Sequence, residues 1–270
     1  MCIRDRYEGS FEDFGGRIYP DFKAKLVEDG GHLFDPKESP LGQNWTVYRG
    51  IDVGFRLPTA CVWGKVDEKG NVWIFREYEE ANTIHEDHAE NINARSPEPV
   101  YQTYISPDAA RRFGDGSEYN SPLKVYQRAG IFARQAIDDF GPGVSLVSRY
   151  LRATLETNPD HPKLFVSTQC PALIKHLENY QYHEVQNRQD LDQPEKPRKK
   201  DDHLPDALRY MLTARPRFLR EWRQRDDIHF EDNISRYGYQ RAAFLADRGK
   251  RKLDSKNPAT GRPKILGIGK

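Results

Sequence analysis

Features that would place the chain in a membrane or outside the cell are missing from the sequence. No run approaches the roughly 18 consecutive apolar residues that a membrane helix needs, and the N-terminus lacks the apolar stretch of a secretory signal. The three cysteines, Cys2, Cys61 and Cys170, lie far apart, so neither a disulfide framework nor a C-x-x-C zinc site is indicated. We therefore expect a soluble, intracellular protein with reduced, structural thiols.

The charge of the chain is unevenly distributed, although its formal net value is only +1. Residues 215–270 hold 15 Lys and Arg against 7 Asp and Glu, which leaves the first 214 residues with a net charge of −7. A basic tail of this kind is typical either of phosphate contact or of a plain solvated segment. The chain has 270 residues, of which 37% are hydrophobic, so it is long enough for one sizeable domain plus extensions or for two small domains.

Four segments are distinguished along the chain. Residues 1–6 resemble a translated sequencing adapter rather than native protein, which predicts that the gene extends upstream and that this chain is the C-terminal piece of a longer one. Residues 7–44 are rich in Gly, Pro, Asp and aromatic residues without a clear period, and they are interpreted as a lead-in or linker. Residues 45–215 carry the regular patterns, and residues 216–270 form the basic tail.

The patterns in residues 45–215 predict a mixed α/β layered domain. Three β-rich runs, at 45–53, 59–66 and 72–78, with a polar turn between the last two, predict an antiparallel meander. Helices and strands then alternate. Helices are predicted at 83–94, 122–129, 143–154, 171–180 and 204–214, and strands at 100–106, 132–136 and 163–167.

Acidic residues stand at strand ends and at a helix start, where a sheet fold gathers side chains into one crevice. Asp52 interrupts an apolar strand, and an ionised carboxylate there is costly unless it is paired or bound to metal. The alternative to a metal is a basic partner such as Arg56 or Arg111. Asp108 follows a predicted strand and, taken alone, is explained most simply as the N-cap of a helix.

The last predicted helix has one apolar and one polar face. Its apolar face holds Leu204, Leu208, Met211 and Leu212, and its polar face holds Asp202, Asp206, Arg209 and Tyr210. Asp202 is in position to cap the helix, and Pro205 is tolerated because the first turn has no intrahelical partner for its missing N–H. Asp206 is harder to explain by a structural role.

Converging carboxylates have a characteristic chemistry. They repel one another, and at least one stays protonated near neutral pH unless divalent cations neutralise them. Hard oxygen ligands select Mg²⁺ or Mn²⁺, and two such ions about 3.5–4 Å apart activate water and stabilise the leaving 3′-oxygen of a phosphodiester. If Asp52, Asp108 and the acids of the last helix converge, the sequence predicts hydrolytic phosphodiester cleavage.

Three segments together resemble the nuclease domain of the large terminase subunit of tailed bacteriophages. They are the strand with Gly50-Ile51-Asp52-Val53-Gly54, the strand end Ile105-Ser106-Pro107-Asp108, and the run Asp201-Asp202-His203-Leu204-Pro205-Asp206-Ala207-Leu208-Arg209-Tyr210. The last run is the most specific of the three. The resemblance covers about residues 10–214.

The resemblance implies an RNase H-like fold, in which an antiparallel three-strand meander and parallel strands form one mixed sheet flanked by helices. In that family a first-strand Asp, an acid after the fourth strand and an Asp of the final helix hold the metals, which implies Asp52, Asp108 and Asp206 here, with two Mg²⁺ or Mn²⁺ ions. His203 is implied as a further ligand, as in some members of the family. Asp202 is implied as an accessory ligand.

The resemblance also implies a role in viral DNA packaging. The expected function is metal-dependent endonucleolytic cleavage of double-stranded DNA in the cytoplasm of the bacterial host, with the portal protein and the small terminase subunit as partners and no membrane association. The family has an N-terminal ATPase motor, but the sequence contains no G-x-x-x-x-G-K-[ST] phosphate-binding loop. The motor is therefore expected to be missing, with residues 7–44 as the lead-in from it.

A basic segment precedes the last predicted helix. Lys196, Arg198, Lys199 and Lys200 place positive charge beside the expected scissile phosphate, where they either contact the DNA backbone or form a solvated loop. Two other functions stay open. One is a junction-resolving nuclease of similar fold, which also has a late acidic helix, and the other is a non-catalytic DNA-docking module of a packaging assembly, whose acids are only caps and ion pairs.

Overall fold

The computed structural model describes residues 16–54, 56–111, 121–152, 162–182, 197–198 and 201–220. The strands within these ranges are β1 (Leu33–Phe34), β2 (Thr46–Asp52), β3 (Thr59–Val66), β4 (Val72–Glu80), β5 (Gln102–Ile105), β6 (Ala133–Gln135) and β7 (Leu164–Ser167). The α-helices are α1 (His85–Ala94), α2 (Pro122–Arg128), α3 (Phe140–Leu151), α4 (Pro171–Asn179) and α5 (His203–Thr213). Short 3-10 turns lie at Val27–Asp29 and Pro107–Ala110.

All the strands belong to one mixed sheet, in the order β1-β7-β4-β3-β2-β5-β6. The predicted meander is confirmed, because β3 is antiparallel to both β2 and β4. Every other pairing is parallel. All strands except β3 therefore run in the same direction, and their carboxyl ends meet at one edge of the sheet, which we call the carboxyl edge.

Helix α5 lies directly on one face of the sheet. Alternate residues of a strand face opposite sides, so Tyr48, Gly50 and Asp52 of β2 face α5, whereas Ile51 is buried in a separate cluster on the other face. The approach of α5 is close, since a Cβ atom on Gly50 would lie 2.1 Å from the carbonyl oxygen of Ala207. This packing brings the first turn of α5 to the end of β2.

Two apolar clusters fill the two sides of the sheet. The larger cluster joins the sheet to α3, α4 and α5 and includes Val62, Val147, Leu173 and Met211. The smaller cluster joins the sheet to α1 and α2 and includes Ile51, Trp63, Ile92 and Tyr126. Helices thus cover both faces, as expected for a layered α/β domain. None of the helices in the described ranges is long and apolar enough to cross a membrane.

The described part of the predicted lead-in, residues 16–44, packs as part of the domain. Strand β1 pairs in parallel with β7, and the backbone N–H of Ile18 donates to the carbonyl of Tyr180 over 2.8 Å. Ile18, Tyr19 and Phe22 are buried in the larger cluster. The sequence pattern did not reveal this packing, because a two-residue strand is too short to produce a recognisable period. Residues 7–15 lie outside the described ranges.

Helix α3 begins three residues before its predicted start. The sequence pattern placed the helix at 143–154, but it spans Phe140–Leu151 and includes Gly141 and Pro142. Proline is tolerated in a first turn because the N–H groups there have no intrahelical acceptor. The predicted residues 153 and 154 lie outside the described ranges.

Candidate active site

Asp52 ends β2 at the carboxyl edge, with its carboxylate toward the first turn of α5. Oδ2 of Asp52 lies 2.8 Å from Nδ1 of His203, and both side chains are 13% exposed. Burial raises the pKa of Asp52, and the hydrogen bond and charge of His203 offset part of this rise. The partner of Asp52 is therefore this histidine and not an arginine, so the alternative of pairing with Arg56 or Arg111 is not supported.

His203 connects two carboxylates. Its Nε2 lies 3.7 Å from Oδ1 of Asp202, on the side of the ring opposite Asp52. Burial by itself lowers the pKa of His203, but the hydrogen bond and charge of Asp52, with the charge of Asp202, raise the pKa above its ordinary value. Asp202 occupies the N-cap position of α5 without a side-chain capping bond, and its carboxylate lies beside His203 instead.

Asp206 is one turn further along α5 and is also largely buried. Burial raises the pKa of Asp206 to about 6, against the charge of Arg209, while the charge of Asp52 contributes to the rise. Oδ1 of Asp206 accepts hydrogen bonds from Nε of Arg209 at 3.1 Å and from the hydroxyl of Tyr180 at 3.4 Å, and it forms an ion pair with Nη2 of Arg209, also at 3.1 Å. Asp52, Asp202 and Asp206 thus share one electrostatic environment.

Asp108 lies at the same edge of the sheet, but its carboxylate is exposed and paired with Arg111. The preceding strand is anchored beside Asp52, since the N–H of Ser106 donates to the carbonyl of Ile51 over 2.8 Å. The side chain of Asp108 is 63% exposed and forms an ion pair with Arg111 at 3.0 Å. The N-cap position of this 3-10 turn belongs to Ser106 and not to Asp108. The structure therefore brings the backbone at Asp108 to the site without its carboxylate.

Glu79 is a candidate residue that the sequence analysis missed. The register of the meander places Asp52 opposite Ala60 and Ala60 opposite Glu79, so both acidic side chains face α5. Burial raises the pKa of Glu79. The charge of His203 opposes this rise, and the charges of Asp201 and Asp202 add to it. Nδ1 of the buried His176 lies 3.8 Å from Oε1 of Glu79. Only the strand register reveals this position, because in the sequence Glu79 belongs to an acidic strand end.

Most of the predicted DNA-contacting residues lie outside the ranges that the structure describes. Lys196, Lys199 and Lys200 lie outside the described ranges. Arg198 is described, and its backbone N–H donates to the carbonyl of Gln181 over 2.8 Å, next to an isolated bridge between Tyr182 and Pro197. Contact between these residues and DNA stays a prediction.

The donor chemistry at the carboxyl edge suits hard divalent cations. Asp52, Asp202 and Asp206, with Glu79, supply carboxylate oxygens, which Mg²⁺ and Mn²⁺ prefer, and His203 supplies a ring nitrogen. Among the described residues, no three potential ligands converge closely enough to form a ready-made metal cage. Binding of one ion by three of these side chains would therefore require side-chain rotation.

Comparisons with known proteins give one curated relative and several solved structures. No family model matches the chain. The large terminase subunit of Escherichia phage T5 is 28% identical over 219 residues, which cover 77% of this chain and 44% of that protein. This chain therefore spans less than half the length of the relative.

The structural neighbours share the fold described above. The large terminase of a thermophilic bacteriophage superposes with a TM-score of 0.57 at 18% identity, over 73% of this chain and 44% of that one. The nuclease domain of the P22 large terminase superposes with a TM-score of 0.55 at 17% identity, over 77% of this chain and 98% of that domain. The predicted RNase H-like α/β fold is confirmed.

Proposed function

We propose that this chain, a homologue of phage large terminase subunits with the fold of their nuclease domains, cleaves double-stranded DNA during genome packaging. The supporting observation is the pairing of Asp52 with His203, which are 151 residues apart in the sequence and 2.8 Å apart in the fold. That contact joins the end of β2 to the start of α5 and gathers Asp202 and Asp206 around it. An arrangement of buried acids at the carboxyl edge of a sheet is suited to metal-assisted hydrolysis.

The proposed metal ligands are Asp52, Asp206 and Asp108, with His203 and Asp202 as accessory ligands. These residues would hold two Mg²⁺ or Mn²⁺ ions, which would supply activation of a water and neutralisation of charge on the leaving 3′-oxygen. His203 keeps the Asp52 carboxylate oriented through the 2.8 Å contact of its Nδ1, which leaves Nε2 as its ligand atom. Asp108 would join this set by giving up its ion pair with Arg111.

The proposed substrate and partners follow from the same homology. Lys196, Arg198, Lys199 and Lys200 precede α5 in the sequence, and we assign them to contact with the DNA backbone. Double-stranded DNA, the portal protein and the small terminase subunit are the proposed partners. The proposed location is the cytoplasm of the infected bacterium.

The test is nicking and linearisation of supercoiled plasmid by the purified chain. We expect cleavage with Mn²⁺ or Mg²⁺ and none with EDTA. Asp52→Asn and Asp206→Asn should each lower cleavage at least about 100-fold, because each removes ligand charge at nearly constant volume. Asp202→Asn and His203→Ala should show smaller losses, and Asp87→Asn on the exposed side of α1 serves as the control.

Several outcomes would contradict the proposal. Full activity in Asp52→Asn or Asp206→Asn would remove those residues from the site. Cleavage that survives EDTA would exclude metal dependence, and no cleavage under any condition would favour a DNA-docking module. Preference for four-way junctions over linear duplex would favour a junction-resolving nuclease.

A further inference from the structure

Arg209 is a buried arginine within the candidate active site. Its side chain is 2% exposed, and its guanidinium lies 4.7 Å from the ring centroid of Tyr210 and 5.4 Å from that of Phe140. A buried guanidinium is costly unless it is paired, and here it lies between two carboxylates. Nη2 donates a hydrogen bond to Oδ1 of Asp138 at 3.0 Å, while Oδ1 of Asp206 lies 3.1 Å from Nη2 and accepts a hydrogen bond from Nε.

The contacts of Arg209 distinguish the two oxygens of the Asp206 carboxylate. Nε of Arg209 and the hydroxyl of Tyr180 donate hydrogen bonds to Oδ1, and Nη2 of Arg209 forms an ion pair with the same oxygen at 3.1 Å. Within the described part of the chain, the hydrogen bonds to this carboxylate fall on Oδ1, which leaves Oδ2 available to a cation. Bonds from a planar guanidinium also fix the rotation of the carboxylate.

Helix α3 leaves space for Arg209 through a single glycine. A Cβ atom on Gly143 would lie 2.8 Å from Cδ and 3.0 Å from Cγ of Arg209. Any side chain at position 143 therefore displaces the middle of the arginine. Gly141, two residues earlier in the same helix, has no atom within 4 Å of such a Cβ.

We propose that Arg209 is a positioning residue that holds Oδ1 of Asp206 so that Oδ2 faces the divalent cation. Gly143 leaves the space that the Arg209 side chain needs for this. This inference rests on the proposed function, since it assumes that Asp206 binds the metal. Partners of this kind, which orient a ligand without touching the ion, commonly affect metal affinity by roughly 10- to 100-fold. Arg209 thus acts by orienting the Asp206 carboxylate. Its buried positive charge is tolerated because Asp138 also forms an ion pair with it.

The test compares two alanine substitutions in α3 by calorimetric titration of the full chain with Mn²⁺. Gly143→Ala displaces Arg209 while keeping its charge, and we expect the Mn²⁺ dissociation constant to rise about 3- to 10-fold, below the full loss of an orienting partner. Gly141→Ala gains the same helix propensity without touching Arg209, and its dissociation constant should equal that of the wild type. Equal values for both variants would overturn the inference.

A second pair of variants changes the guanidinium itself. Arg209→Lys keeps the charge but loses the planar fork, and we expect the Mn²⁺ dissociation constant to rise about tenfold or more. Arg49→Lys is the matched control, because Arg49 is also buried but lies on β2, where its side chain donates hydrogen bonds to Thr103 and Ser96. An unchanged or tighter affinity in Arg209→Lys would overturn the inference.

The Asp206→Asn background separates positioning from a general structural role. If Arg209 acts through Asp206, adding Arg209→Lys to Asp206→Asn should change Mn²⁺ affinity no further, whereas a general disturbance of the site would lower it again and contradict the inference. Wild-type protein that binds no Mn²⁺ would refute the metal site of the proposed function itself. Failure of the positioning role alone would leave wild-type binding intact.

Discussion

Replacing Gly50 by alanine is expected to shift α5 on the sheet and thereby to distort the candidate active site. Gly50 lies in the middle of β2, and its new Cβ would be 2.1 Å from the carbonyl oxygen of Ala207 and 3.0 Å from Cβ of Met211. The first of these atoms is helix backbone, which has no rotamer to change. The whole helix must therefore shift by about 1 Å or more to restore ordinary contact distances of ~3.5 Å.

The expected cost follows from this geometry. An added methyl group in a packed core typically lowers the free energy of unfolding by about 1–3 kcal/mol. A clash with backbone atoms costs at least as much as the upper end of this range, so we expect Gly50→Ala to lose ~3 kcal/mol or more. A typical domain has a total stability of about 5–15 kcal/mol. The same shift would lengthen the 2.8 Å contact between His203 and Asp52, so cleavage should fall even where the variant stays folded.

Gly64→Ala is the matched control for this prediction. Gly64 lies on β3 under the same helix, but its new Cβ would meet Cε of Met211 at 2.9 Å and Cδ1 of Ile74 at 3.1 Å. Both atoms are ends of flexible side chains, so the expected loss is about 1 kcal/mol or less. Urea unfolding followed by tryptophan fluorescence measures both variants, with midpoints converted at constant m. Equal losses in the two variants, or a Gly50→Ala protein as stable as the wild type, would refute the reasoning.

Two further predictions concern pH and salt. Burial raises the folded-state pKa of Asp206 to about 6, so ionisation of this carboxyl favours the unfolded chain. In EDTA, we therefore expect the free energy of unfolding of the wild type to fall relative to that of Asp206→Asn as the pH rises from about 4 to about 7. The expected fall is up to ~3 kcal/mol. Urea unfolding across this pH range checks it, and parallel pH profiles would contradict it. Deleting residues 221–270, which carry 12 Lys and Arg against 7 Asp and Glu, should weaken duplex binding more than saturated cleavage, and each lost phosphate contact should flatten the slope of log affinity against log salt by about 0.9. Salt titrations of both forms measure this, and identical slopes would assign the tail to another role.

The elements that carry the site were predictable because their patterns are local. Helix α5 was expected at 204–214 and spans His203–Thr213, since its apolar residues recur at helical spacing. The meander was expected from three β-rich runs and is formed by β2, β3 and β4. The edge strand β1 was missed because two residues carry no period, and its pairing with β7 depends on residues more than a hundred positions away.

The sequence by itself determined which acids stand at strand ends and at the start of α5, and the motifs around them pointed to the terminase nuclease fold. Only the tertiary structure decided the partners: His203 for Asp52, Arg111 for Asp108, and Arg209 for Asp206. It also decided that Glu79 joins this group, through a register that crosses three strands. The physical reason is that periodicity depends on neighbouring residues, whereas charge pairing depends on distances set by hydrogen bonds and packing between distant segments of the chain.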